Sequence, residues 1–330
     1  PEVEDDTFGT GGLFSWSKKH EDVWQSLSSG GYWKNLDVRG LAASPKTKTQ
    51  TVKGLEWRYT VKDGEATVEG LGIDDGQLSA IPEDTSGKVV IPSTLGGYPV
   101  TTIGYEAFYC CDRLTEIVVQ NGVRTIGFEA FAGCGQVKKI VLPSSLRSIG
   151  EFAFEGCSEL RSIELPANLV AIGPEAFRES ALTEVSLPAK VAFVSPSAFA
   201  DCGDLLSFKV AKGNKSYKVV KGLLLTADGE ELAGIPRGLR VLNVPEGVKK
   251  IENGVGCGID ILEEIHLPAS VSRFDSSAFL SCASLQAYVV DGENKTYKSV
   301  DGFLFWAKPY NFLIFKFYPT IEYTSSSTRI

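Results

Sequence analysis

The sequence predicts an α/β-type solenoid: stacked 23-residue repeats with a parallel β-ladder, β-hairpin insertions and β-rich caps. Three observations carry this. Segments starting at Val100, Val123, Leu146 and Leu169 superpose at intervals of 23 residues, as do those at Val248 and Val271, with a further copy at Val191. Each unit ends in a stretch L-x-x-I-x-L that alternates with period two, as a half-buried strand does. The units at Val100, Val123, Leu146 and Leu169 also place an Ile-Gly step before an Ala-Phe pair, so the same apolar positions recur coil after coil. One such unit cannot bury its own apolar side, and stacking turns many weak faces into one core.

Taken in chain order, residues 1–54 stand apart, with Trp16, Trp24 and Trp33 set among Gly, Ser and Lys. SKKHEDVWQSLSS reads as one short helix with Ser17 as its N-cap, and KTKTQT as a linker. Residues 55–99 read as an N-terminal β-cap. LEWRYTVKDGEATVEG gives two strands around Asp63-Gly64, and GKVVIPSTLGGYPVTTIG feeds the first repeat. Residues 100–293 carry the repeats. Within each, Gly after Ile permits a tight turn, and Ala-Phe packs inward from a short helical or 3₁₀ turn. Pro143, Pro166, Pro188 and Pro268 close the strands. The 57 residues from Val191 to Val248 exceed one period by 34, and a hairpin at about 213–238 fills the excess, with Ala227-Asp228-Gly229 in its turn. LRVLNVP then returns to the ladder. Residues 294–330 hold a second version of that hairpin, in which Asn294, Tyr297 and Gly302 repeat Asn214, Tyr217 and Gly222, and read as a C-terminal cap over the last open edge.

The units TIGYEAFYCCDRLTEIVV, TIGFEAFAGCGQVKKIVLP and SIGEFAFEGCSELRSIELP resemble the BspA-type leucine-rich repeats of bacterial and some protozoan surface proteins. The resemblance spans about residues 85–320. It implies a leucine-rich repeat solenoid on a secreted or cell-surface protein that contacts host matrix, host cells or other microbes. Fold alone leaves the ligand unnamed.

Composition narrows the function classes. A net charge of −8 argues against a general nucleic-acid binder, which needs a basic stripe. Only His20 and His266 occur, which removes most His-based metal sites and catalytic triads. The opening PEVEDDTFGT carries no apolar run, so no signal peptide is expected there. No stretch of about 18 apolar residues suggests a membrane span.

The motifs that could carry chemistry weaken on inspection. Cys111, Cys134, Cys157, Cys202 and Cys282 share one repeat position, Cys110 adjoins the first and Cys257 lies two places early in its unit. No C-x-x-C pair occurs, so the expectation is a column of buried thiols packing as small hydrophobes. Gly254-Val255-Gly256-Cys257-Gly258 occupies the Ala-Phe slot of a repeat rather than a strand-to-helix phosphate loop. Asp291-Gly-Glu-Asn-Lys lacks EF-hand spacing. Asn214-Lys-Ser and Asn294-Lys-Thr are glycosylation sequons.

Strand alternation picks out the outward residues Glu116, Val118, Lys139, Val141, Ser162, Glu164, Glu184, Ser186, Ser207, Lys209, Val241, Asn243, Glu264 and His266 as candidate partner contacts. Glu164 and Glu184 fall on adjacent coils, so they could stand within the separation of about 5 to 10 Å that a glycosidase pair requires, but no pocket or stacking aromatic is evident beside them. The reading is a non-catalytic adhesion module without a cofactor, contacting host or microbial surface and matrix proteins. The alternatives are a structural spacer within a larger surface protein, or a carbohydrate-binding appendage.

Overall fold

The structure, a computed structural model, describes residues 46–70 and 79–307 and the backbone of 313–315. The expected helix at SKKHEDVWQSLSS, with Ser17, lies outside the described residues.

Three antiparallel strands open the fold: β1 (Lys48–Val52), β2 (Leu55–Lys62) and β3 (Glu65–Val68). β1 occupies part of the stretch read as linker, where Thr49, Gln50 and Thr51 pair with Arg58, Trp57 and Glu56. Alternating Thr, Gln and Lys side chains tolerate an exposed edge and give little apolar signal, which is why sequence pattern missed it.

Successive coils then build two parallel ladders. The first coil holds β4 (Gly87–Ile91), the short β5 (Thr94–Leu95), β6 (Tyr98–Ile103) and β7 (Leu114–Val119). The next four add β8 (Thr125–Ile126), β9 (Lys139–Val141), β10 (Ser148–Ile149), β11 (Ala171–Ile172), β12 (Glu184–Leu187), β13 (Phe193–Val194) and β14 (Ser207–Val210). The broad ladder, formed by the expected L-x-x-I-x-L stretches, runs β4-β7-β9 and then β12-β14. A narrow ladder runs β3-β6-β8-β10-β11-β13 through the Ile of each Ile-Gly step. It was not expected, because two residues per coil are too few to show alternation.

Among the described residues there is no helix, so the α/β-type label is corrected to an all-β solenoid. The Ala-Phe wall is made of turns, and its backbone bonds run from coil to coil. The Phe108, Phe131, Phe154 and Phe177 N–H groups donate to the carbonyls of Ala130, Ala153, Ala176 and Ala198 at 2.8–2.9 Å. A helical turn would spend those donors within its own coil. Left-handed residues bracket each turn, at Glu106 and Cys110, Glu129 and Gly133, then Phe152 and Gly156. The Ile-Gly glycines answer to proximity. A Cβ at Gly150 would lie 2.7 Å from the Gly127 carbonyl carbon, so Gly is required because adjacent coils touch there.

The core follows the repeat. Phe108, Phe131, Phe154 and Phe177 are fully buried, and Phe199 nearly so. They form one column with centroids 4.9–5.6 Å apart and interplanar angles of at most 13°. Trp57 closes it edge-on at Phe108.

The insertion is a three-stranded antiparallel meander rather than a single hairpin: β15 (Tyr217–Val220), β16 (Leu223–Thr226) and β17 (Glu231–Gly234). β17 pairs in parallel with β19 (Lys250–Ile251), founding a second narrow ladder that continues to β21 (Arg273–Phe274). β18 (Val241–Asn243), β20 (Glu264–Leu267) and β22 (Ala287–Val290) make its broad counterpart. Consecutive leucines of β16 face opposite ways: Leu224 joins the first core, Leu223 and Leu225 the second. Buried Arg237 ties the blocks together by donating to the carbonyls of Phe199 and Cys257. The second meander comprises β23 (Tyr297–Val300), β24 (Phe303–Trp306) and β25 (Leu313–Phe315).

Candidate binding face

The broad ladder sets outward side chains in rows. One row places Lys88, Glu116 and Lys139 in direct register, and the next Val90, Val118 and Val141. Glu116 lies 3.2 Å from both Lys88 and Lys139, and their hydrogen bonds hold its carboxyl below the usual range. Val141 is 39% exposed, with Val90 and Val118 half-buried beside it. At the strand exits, Gln120, Asn121, Val141, Pro143 and Ser144 help line an open depression of about 560 Å³.

Further along, Glu184 pairs with Ser207 and Ser186 with Lys209. The Lys209 ammonium sits 2.7 Å from Glu184. That contact, with bonds from Ser207 and Ser186, lowers the Glu184 pKa. A general acid needs the opposite shift, so this environment lends the glycosidase pair no support. Ser162 and Glu164 are exposed on residues 161–166, which form no strand. The ladder is therefore interrupted between β9 and β12, and the expected regular row does not pass through them.

In the second block, Val241 stands opposite Glu264 and Asn243 opposite His266. His266 Nε2 lies 2.9 Å from Glu264 Oε2. The candidates thus fall on separate sheets, two in the first block and one in the second. Lys88, Val90 and Val289 belong to the same rows, and sequence reasoning omitted them. The alternation in GKVVI was the available signal for the first two, but that segment was assigned to a cap.

The remaining motifs are structural. Cys134, Cys157, Cys202 and Cys282 each reach the carbonyl of the residue 25 or 26 positions back: Phe108, Phe131, Phe177 and Gly256, at 2.9–3.4 Å. The thiol column is therefore a set of weak donors as well as apolar filler. All seven cysteines are free, and burial pushes the Cys111 thiol up to about 11 and Cys157 to about 12. The Gly254, Gly256 and Gly258 amides donate to Ser277, Ala278 and Leu280, which leaves no amide nest for a phosphate. Both sequon asparagines are staples. Asn214 donates to Pro188 and Val191 and accepts from the amides of Ser216 and Tyr217, and Asn294 repeats this with Pro268, Val271, Thr296 and Tyr297. No group of His, Cys, Asp and Glu suited to a metal ion occurs among the described residues, and no described helix is long and apolar enough to cross a membrane.

Two parallel ladders, a stacked phenylalanine wall and a 23-residue period define a leucine-rich repeat solenoid. The BspA-type leucine-rich repeat region matches residues 101–219 and 237–326 in six copies, and the chain belongs to that family. Among solved structures, a leucine-rich repeat protein from Eubacterium ventriosum is 21% identical with a TM-score of 0.56, over 74% of this chain and 72% of that one. A leucine-rich cell surface protein from Faecalibacterium prausnitzii is 23% identical with a TM-score of 0.50, over 74% and 77%. At this identity both likenesses speak to the fold. None of the curated proteins compared matches the chain.

Proposed function

We propose that this protein is a non-catalytic binding module, displayed at a cell surface or secreted, that holds protein partners on the broad-ladder face of its first block. The observation that carries the reading is the paired register of that face: a Lys88–Glu116–Lys139 charge row beside a Val90–Val118–Val141 stripe. An apolar strip flanked by charges suits a protein surface, where a desolvated centre supplies affinity and rim charges supply orientation. Residues of mixed charge on Glu184, Lys209, Glu264 and His266 extend the candidate surface. The cell-surface protein among the structural neighbours supports the location. The partners proposed are host or microbial surface and matrix proteins.

The test is a screen of the purified chain against immobilised matrix proteins and a glycan array side by side. A protein hit weakened about tenfold or more by Val118→Asp with Val141→Asp supports the reading. A hit indifferent to that pair places binding elsewhere. Glycan hits alone favour the carbohydrate appendage, and silence on both arms favours the spacer.

A further inference from the structure

Where each broad-side strand of the first block ends, the chain turns a corner, at residues 120–124, 143–147, 166–170, 188–192 and 210–216. These corners read QNGVR, PSSLR, PANLV, PAKVA and VAKGNKS. They contain no Asp or Glu, although the chain holds 41. They do contain Arg124, Arg147, Lys190, Lys212 and Lys215, all exposed. Arg124 pairs with Glu65, and among the described residues the other four meet no carboxylate. Two acids flank the row without entering it. Glu164 stands two residues before its corner, and Asp228 follows Ala227, whose amide donates to the Ser216 carbonyl at 2.8 Å.

Side-chain bonds tie each corner to the next, so the corners form one row. The Ser144 hydroxyl donates to Asn121 Oδ1 at 3.2 Å, the Asn168 amide to the Ser144 carbonyl at 2.9 Å, and the Lys190 ammonium to Asn168 Oδ1 at 2.7 Å. Asn214 fastens the last corner by donating to the carbonyls of Pro188 and Val191. At about 4.8 Å per coil, the row from Asn121 to Lys212 is about 20 Å long. Its first end adjoins the open depression that Asn121, Pro143 and Ser144 help to line. The fold does not require this charge. Asn294 fastens the second meander with the same set of bonds, yet Asp291 and Glu293 stand in that corner and Lys295 pairs with Glu293. The corner after β18 carries Glu246. The cations therefore belong to the first block and not to the repeat.

We propose that this corner row binds a linear sulfated polysaccharide laid along the stack axis. Its sulfates meet Arg147, Lys190, Lys212 and Lys215, and its hydroxyls meet the polar groups of Asn121, Ser144 and Asn168. Charge complementarity selects a polyanion, because a file of cations on a chain of net charge −8 concentrates attraction at one edge. The other corner residues select its class. They include no aromatic side chain of the kind on which single-stranded nucleic acid stacks its bases. Leu146, Leu169 and Val191 are buried, so an acidic protein segment finds no apolar anchor in them. Amide and hydroxyl groups in line with ammonium groups suit a chain that carries both hydroxyls and sulfates. The row lies apart from the outward ladder rows, so this surface is independent of the protein-binding face.

The test is titration calorimetry of the chain with a heparin oligosaccharide at low salt, with unsulfated dextran, poly-glutamate and oligothymidylate as comparison ligands. The chain should bind heparin despite its net negative charge, lose affinity as salt rises, and ignore dextran. Lys190→Gln with Lys212→Gln and Lys215→Gln should weaken binding about tenfold or more and flatten its salt dependence. Lys46→Gln with Lys53→Gln and Lys62→Gln, the same charge change beside the N-terminal strands, should leave binding unchanged. The Lys212 and Lys215 side chains make no hydrogen bond or ion pair among the described residues. Their double Gln variant, with an unaltered unfolding midpoint, therefore separates lost binding from lost folding. A native chain that fails to bind heparin overturns the proposal. So does binding that the triple variant retains, or that the N-terminal variant loses equally. Poly-glutamate or oligothymidylate bound as tightly as heparin would assign the row to an acidic protein or a nucleic acid, and would also overturn it.

Discussion

Replacing Phe154 by Ala tests the central column most directly. The ring is fully buried, with Phe131 and Phe177 each 5.3 Å away at interplanar angles of 0° and 13°. Truncation of a buried Phe costs about 3–5 kcal/mol in transfer and cavity terms. Within that, each lost stacked pair accounts for about 0.5–1.5 kcal/mol. The same cost is expected for Phe131→Ala. Removing both loses their shared contact only once, so the double variant should fall short of the sum by about 1 kcal/mol. Phe131 and Phe177 meet only through Phe154, so their coupling should be weaker than that of the adjacent pair. The assay is urea unfolding followed by circular dichroism, with Phe→Leu cycles standing in where a double Ala variant fails to fold. Single losses below about 1 kcal/mol would refute the packing. Coupling as strong between 131 and 177 as between 131 and 154 would refute the nearest-neighbour logic of the stack.

Other outcomes follow from the turn wall. Burial, then the neighbouring acids Glu106 and Glu155, raises Glu129 to about 7; burial, then Glu175 and Glu129, raises Glu151 to about 7. Raised carboxyl pKa values mean that stability is fully present below the ordinary value near 4.5 and is lost as pH rises to about 7. Glu129→Gln and Glu151→Gln should each therefore stabilise the fold at pH 8, by about 1 kcal/mol once solvent screening is discounted, and leave thermal unfolding at pH 4 unchanged. Ser281, at φ 59° where Gly133, Gly156 and Gly258 stand in other coils, should gain about 1 kcal/mol as Gly in the same urea assay. A thiol reagent added to native protein should label exposed Cys110 fast and the four buried cysteines only after unfolding, when all seven react. Asn294→Ala should cost about 2–4 kcal/mol, because it strands the amides of Thr296 and Tyr297 and removes the side-chain donor from the carbonyls of Pro268 and Val271.

What was legible in the sequence is what recurs. The period fixed the Phe column, the thiol column and the inward residues of the broad ladder, since a side chain repeated every 23 residues must meet its own kind. The narrow ladder and the coil-to-coil bonds of the turn wall were not legible, because they are backbone features that put little demand on side chains. The short helical turn was a fair inference from Ala-Phe composition, but Glu106 and Glu129 adopt left-handed backbone that no residue scale favours for Glu. In the candidate face, alternation placed these side chains outward; register then set Glu116 opposite Lys139, whereas Lys209 stands opposite Ser186 and reaches diagonally to Glu184. It did not bring Ser162 and Glu164 into a row, since residues 161–166 leave the ladder. The two-faced burial of Leu223, Leu224 and Leu225 was hidden in a plain apolar run, which reads the same for a strand buried once or twice.

The direction of the ladder bonds has a mechanical consequence. Strands lie across the stack and their hydrogen bonds point along it, so a pull on the two ends loads those bonds lengthwise and one coil at a time. Each coil that lets go exchanges about 4.8 Å of stacked height for roughly 75 Å of slack chain. Such a molecule yields early and lengthens greatly, dissipating work in small steps. The first meander, clamped by a core on either side, would be where the unravelling pauses.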